Sequence, residues 1–272
     1  MTDLYYDMRG SGPVLLVLPG GAGHPMGFDR MTDALADRFT VVTCDPLGLA
    51  HGRLGEPVGE QRVEDWSDRA LQVLDEVLPE GESAYVLGTS SGAIASLDLL
   101  ARHPGRLRHV VAHEPPCVGV LPDGARQQAA FQEVYDVYRA AGLRAAGARL
   151  GAVLSGAEPV QEAGEPQPLT REQELGSPMA LFLAHVLTSF TAYDPDLAAL
   201  TASPARLTLA AGADSRGQLL HRTAQFLSRH TGSGFVEFPG GHVGVAEHPA
   251  DFAGLLAETL VPVGDSQAPY TT

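Results

Sequence analysis

Short apolar runs bounded by turn residues alternate along this chain with stretches whose apolar positions recur every three or four residues. The runs at 14–18, 40–44, 84–87, 107–112, 206–211 and 234–238 predict buried strands. Helices are predicted at 26–38, 63–78, 91–103, 217–230 and 246–260. In 63–78, Trp66, Ala70, Val73, Leu74 and Val77 share one face, as a helix packed on a core requires. Strand and helix in repeated alternation argue for a mostly parallel sheet covered on both faces.

Between residues 115 and 204 the pattern changes. Helices are predicted at 125–141, 142–154 and 178–193, with a Pro/Gly/Glu-rich loop at 158–168 and no strand. This segment predicts a helical cap inserted over one end of the sheet. The expected organisation is therefore a core over 1–114, a cap over 115–204, a return to the core over 205–262, and a coil tail over 263–272.

The 272 residues are 44% hydrophobic, enough for a large single core, and the formal net charge is −15. That charge repels phosphate backbones and anionic membrane surfaces, so neither nucleic acid nor membrane is expected as a partner. All 18 basic residues other than histidine are Arg, and no Lys or Asn occurs. Schiff-base lysine chemistry, a Ser-Lys dyad and a phosphate loop ending in Gly-Lys are thereby excluded. The codons for Lys and Asn are A-rich, so their absence points to a GC-rich bacterial genome. Two cysteines, Cys44 and Cys117, form no disulfide framework and no metal spacing. With no basic-then-apolar leader at residues 1–7 and no apolar run of membrane length, a cytoplasmic protein is expected.

The candidate chemistry centres on Gly88-Thr89-Ser90-Ser91-Gly92, which reads G-x-S-x-G between a predicted strand and a predicted helix. That is the context of a nucleophile elbow, in which the Ser90 hydroxyl stands clear of the sheet at a helix N-terminus. Such a serine needs a base and an acid to orient it, and the strand–turn–helix setting orders them serine, acid, histidine along the chain. His242, in Pro239-Gly240-Gly241-His242, follows the 234–238 strand. Two acids compete. Asp214 follows the 206–211 strand, and Glu114 follows the 107–112 strand in His113-Glu114-Pro115-Pro116. A carboxylate ending a buried strand is costly unless it is paired, which gives Glu114 a task of some kind. His103 and His230 sit at predicted helix C-termini, where a cation is favoured. His24, His51, His113, His185 and His221 read as structural, and no spacing suggests a metal.

With Pro19-Gly20-Gly21-Ala22-Gly23, the Asp45-Pro46-Leu47-Gly48 loop, the Ser90 elbow, Gly212-Ala213-Asp214 and Gly241-His242 in place, the chain resembles α/β-hydrolase-fold serine hydrolases of the esterase/lactonase/haloperoxidase-like group. The resemblance spans essentially the whole chain. It implies the α/β-hydrolase fold, a mostly parallel sheet flanked by helices with a helical cap. It also implies a triad of Ser90, Asp214 and His242, with oxyanion donors at the Gly21 and Ser91 backbone N–H groups. Glu114 stays open as the alternative acid or a polar pocket residue, since some members of the fold carry the acid after that strand. The chain departs from the pattern in Pro19-Gly20 where His-Gly is usual, in Leu47 where Arg is common, and in a Gly212-Ala213-Asp214 segment one residue short of Gly-x-x-Asp.

The implied activity is hydrolysis of a small to medium hydrophobic carboxylic ester or lactone without a cofactor. The alternatives are a natural-product cyclase or carbon–carbon bond hydrolase, or a non-catalytic ligand receptor. Phe131, Val134, Tyr135 and Tyr138, with Phe182, Val186 and Phe190, predict apolar cap faces that pack on the core and in part line the pocket.

Overall fold

The computed structural model describes residues 4–21, 28–157 and 169–261. The loop expected at 158–168, the tail expected at 263–272, and Ala22, Gly23 and His24 lie outside the described residues. In chain order the strands are β1 (Tyr6–Gly10), β2 (Val14–Leu18), β3 (Thr40–Cys44), β4 (Ala84–Thr89), β5 (Leu107–His113), β6 (Leu207–Gly212) and β7 (Gly234–Phe238). The helices of the core are α1 (Asp29–Leu35), α2 (Val63–Val77) and α3 (Ser91–Arg102). Between β5 and β6 come α4 (Gly124–Ala141), α5 (Leu143–Ser155), α6 (Arg171–Leu175), α7 (Pro178–His185), α8 (Leu187–Thr191) and α9 (Leu197–Thr201). The core closes with α10 (Leu219–Thr231), α11 (Gly244–Glu247) and α12 (Pro249–Leu260).

Among the described residues seven strands form one sheet, ordered β1-β3-β2-β4-β5-β6-β7. Only β1 runs antiparallel to its neighbour; every other pairing is parallel. Alternation along β2 shows why both faces are covered. Leu15 and Val17 pack with Met31, Leu35, Phe252 and Leu256 of α1 and α12. Leu16 and Leu18 pack on the other side with Trp66 and Ile94 of α2 and α3. A third buried cluster, including Phe131, Val134, Leu183 and Leu187, holds α4, α5, α7 and α8 together. No helix among the described residues is long and apolar enough to cross a membrane.

Several features differ from the pattern-based expectation. β1 went unpredicted because it is an edge strand whose residues are half-buried or exposed, so it carries little apolar signal. The helix expected at 178–193 breaks at Val186, whose φ of −120° leaves the helical range, into α7 and α8. The helix expected at 246–260 is likewise two, since Pro249 starts α12 afresh. The unpredicted α6 does carry a legible start signal. Thr170 and Gln173 form a capping box, the Thr170 hydroxyl accepting from Gln173 N–H and the Gln173 side chain accepting from Thr170 N–H.

Tyr193, just after α8, donates its hydroxyl to the buried Asp98 of α3 at 2.7 Å, and Arg102 binds the other Asp98 oxygen at 2.8 Å. Phe190 meets Trp66 edge-on, with ring centroids 4.7 Å apart. These contacts tie the helical segment to the core.

Candidate active site

The elbow is built by close backbone approaches that only glycine permits. A Cβ on Gly88 would lie 2.5 Å from the Gly92 carbonyl oxygen, and one on Gly92 would lie 2.2 Å from the Leu18 carbonyl oxygen. Between them Ser90 takes φ 52° and ψ −121°, a conformation that costs energy in a side-chain-bearing residue and persists only where the surroundings enforce it. Its N–H donates to the His113 carbonyl at 2.9 Å, and its carbonyl accepts from Ala93 N–H, also at 2.9 Å. The side chain therefore projects from the junction of β4 and α3. The N–H groups of Ser91 and Gly92 occupy the first turn of α3, where no carbonyl of the same helix can pair with them.

Gly20 and Gly21 follow β2 and pass beside the elbow. A Cβ on Gly20 would stand 3.4 Å from Ser90 Cβ; one on Gly21 would stand 3.0 Å from Ser91 Oγ and strike the Phe182 ring at 2.1 Å. The structure thus brings Gly21 and Ser91 together at Ser90.

His242 lies in the turn after β7, and its Nδ1 is 2.7 Å from Glu114 Oε2. The hydrogen-bond partner of the imidazole is therefore Glu114; Asp214, the acid that the resemblance implies, is not bonded to it. Asp214 sits in the turn Ala213–Ser215 after β6, exposed to solvent. Its N–H donates to the Gly240 carbonyl at 2.9 Å, and among the described residues its carboxylate accepts no hydrogen bond. Glu114 follows directly on β5 at φ 50°, buried, and its own N–H is bound to the Ala210 carbonyl at 2.8 Å. That left-handed turn carries the carboxylate across to the β6 and β7 loops. There Oε1 accepts from Gly212 N–H at 2.9 Å and from the Ser215 hydroxyl.

Burial on its own raises a carboxyl. Here hydrogen bonds from His242 and Ser215, with the charges of His242 and His113, outweigh it and bring Glu114 down to about 2. His113 is buried against the rings of Phe238 and Phe252, and burial pushes it down to about 4. Its Nε2 has no hydrogen-bond partner among the described residues.

Ser90 and His242 face one cavity of about 460 Å³, whose wall also includes Gly20, Gly21 and Ser91. Phe131, Leu150, Leu154, Met179, Phe182 and Leu220 supply much of the rest, and among the described residues no Asp, Glu or Arg lines it. Of the apolar residues picked from the pattern, Phe131 and Phe182 reach the cavity, while Val134, Tyr138, Val186 and Phe190 are buried in packing. No group of three or more His, Cys, Asp or Glu side chains suited to a metal occurs among the described residues.

A family model described as the alpha/beta hydrolase fold matches residues 13–196. The chain belongs to the α/β-hydrolase fold family. The uncharacterized hydrolase YraK of Bacillus subtilis (strain 168) is 30% identical over 264 residues, covering 95% of this chain and 92% of that protein. A zearalenone hydrolase of Bionectria ochroleuca is 31% identical over 115 residues, 41% of this chain and 43% of its own length. The crystal structure of the enol-lactonase from Burkholderia xenovorans LB400 superposes with a TM-score of 0.61, covering 94% of this chain and 96% of that one, at 16% identity, a likeness of fold.

For this α/β hydrolase, motif spacing pointed to the loops after β6 and β7 and left the support of the Glu114 carboxylate unseen. Gly212 and Ser215 hold Glu114 from a loop distant in sequence, and no local pattern marks either as a partner of residue 114.

Proposed function

We propose that this α/β hydrolase is a serine hydrolase cleaving a neutral, small to medium hydrophobic carboxylic ester or lactone through an acyl-serine intermediate, with Ser90, His242 and Glu114 as its triad. The observation that carries the reading is the 2.7 Å bond from His242 Nδ1 to the buried Glu114 carboxylate, with His242 and Ser90 lining one cavity.

In this reading Nδ1 keeps its proton for Glu114, which leaves Nε2 as the base. Ser90 Oγ attacks the carbonyl carbon as its proton passes to His242 Nε2, and Glu114 stabilises the imidazolium that forms. The N–H groups of Gly21 and Ser91 receive the oxyanion; one such donor contributes about 3 kcal/mol to lowering a barrier of this type. Collapse expels the alcohol with the proton from Nε2. Water, deprotonated by the same nitrogen, then releases the acid and regenerates Ser90. A wall with no Asp, Glu or Arg among its described residues supports a neutral substrate, because an ionised group buried against them would lack a partner.

Intact mass after treatment with a fluorophosphonate tests the proposal. A single adduct on the wild type and none on Ser90→Ala is the expected result, followed by multiple turnovers on a panel of esters and lactones. No adduct on either protein would move a ligand-binding role ahead of hydrolysis.

A further inference from the structure

The structure assigns Ser215 as a positioning residue that acts on His242 through Glu114. The assignment rests on the serine-hydrolase reading given above. Ser215 is buried, and its hydroxyl carries one proton with two acceptors in reach: Glu114 Oε1, and the Gly212 carbonyl at 2.9 Å. An ionised carboxylate is the stronger acceptor, so the proton goes to Glu114. Gly212 N–H supplies the second donor to the same oxygen at 2.9 Å, leaving Oε2 to face His242 alone.

The arrangement assigns separate tasks to the two carboxylate oxygens. Oε1 is pinned from the β6 loop, and Oε2 is presented to the imidazole of the β7 loop. Rotation of the carboxyl about its terminal torsion, which is soft in Glu, would break both donors at once. The two loops are themselves locked together. A Cβ on Gly212 would lie 2.5 Å from the Gly240 carbonyl oxygen, which also accepts the Asp214 N–H. The segment that carries the exposed Asp214 thus serves the acid rather than providing it.

Ser215 also limits the carboxylate's acceptor strength. Donors to one carboxylate compete, so a third donor weakens the demand that Oε2 makes on the His242 proton. Removing the hydroxyl lets Glu114 draw more strongly on Nδ1–H and frees the carboxyl to rotate. Besides Ser215, the charged or titratable groups placed at Glu114 are His242 and His113.

The test compares wild type, Ser215→Ala and Ser215→Thr, with Glu114→Gln identifying the bridging proton. Proton NMR in water reads the His242 Nδ1–H, which lies far downfield of the amides when shared with a carboxylate. In Ser215→Ala this resonance shifts from its wild-type position, and kcat on 4-nitrophenyl butyrate falls about tenfold with KM unchanged. Ser215→Thr, which keeps the hydroxyl, restores both. An unmoved resonance in a folded Ser215→Ala protein overturns the assignment whatever the turnover. Absence of ester turnover in the wild type counts against the hydrolase reading instead, and the resonance still decides the role of Ser215.

Discussion

His242 Nδ1 stands 2.7 Å from Glu114 Oε2, joining two residues 128 positions apart in the chain. Nδ1 of the imidazole is thereby committed to a carboxylate that Gly212 N–H and the Ser215 hydroxyl also hold, and His242 lines the same cavity as Ser90. Glu114→Gln keeps the shape and removes the charge, which costs the tautomer and the stabilised imidazolium. Its kcat is expected to fall about 10³–10⁴-fold on a hydrophobic ester. Asp214→Ala is expected to stay within about twofold of wild type, as an exposed substitution should. Steady-state kinetics on both variants checks the pair, and an inactive Asp214→Ala beside an active Glu114→Gln would reverse the assignment.

The buried His113 sets an acid limit on stability. Burial lowers it from its ordinary 6.5 to about 4, so between those values the unfolded chain binds a proton that the folded chain refuses. Stability is then greatest above pH 6.5 and declines as pH falls towards 4, by up to about 3 kcal/mol from this group. Glu114 adds to the loss. Depressed from 4.5 to about 2, it contributes stability above 4.5 that disappears as pH falls through 2. Urea unfolding of wild type and His113→Leu from pH 7.5 to 4 checks the first effect. The variant should show a flatter dependence on pH, and parallel curves would remove His113 as the cause.

Gly92 has no room for a methyl group, since its Cβ would lie 2.2 Å and 2.3 Å from the carbonyl oxygens of Leu18 and Pro19. Both are backbone atoms at the end of a central strand, and they yield only if β2 and α3 separate. Gly92→Ala should lower unfolding free energy by about 3 kcal/mol. Denaturant titration gives the number. Because the same shift moves Gly21 away from Ser91, phosphonylation of Ser90 should slow even in the molecules that remain folded.

Phe182 closes the cavity over the Gly21 backbone, with its ring where a Cβ on Gly21 would point. Phe182→Ala opens space beside the proposed oxyanion donors without touching Ser90 or His242. The kcat/KM ratio for 4-nitrophenyl octanoate over acetate is expected to rise about tenfold. An unchanged ratio would place the acyl chain elsewhere in the cavity.

Strand–helix alternation, the glycines around Ser90 and the position of His242 past a strand were legible in the sequence because each is a local property. A buried strand needs a continuous apolar run, and an elbow needs glycine where backbone atoms crowd, so the residues beside one another carry the signal. β1 was illegible for the same reason in reverse. Its Tyr6-Asp7-Met8-Arg9-Gly10 is half-exposed and acquires strand geometry only by pairing with β3.

The identity of the acid was a different kind of question. Sequence alone placed a carboxylate after β5 and another after β6, and chain order admitted both. The tertiary structure bonds one of them, Glu114, to His242, through the left-handed turn at Glu114 and the seating of Gly212 against Gly240. The hydrogen bonds that hold this carboxylate at the imidazole join segments about a hundred residues apart, as in the 98-residue separation of Gly212 from Glu114. A spacing rule records distance along the chain; a hydrogen bond depends on distance in space, and only the packed sheet converts one into the other.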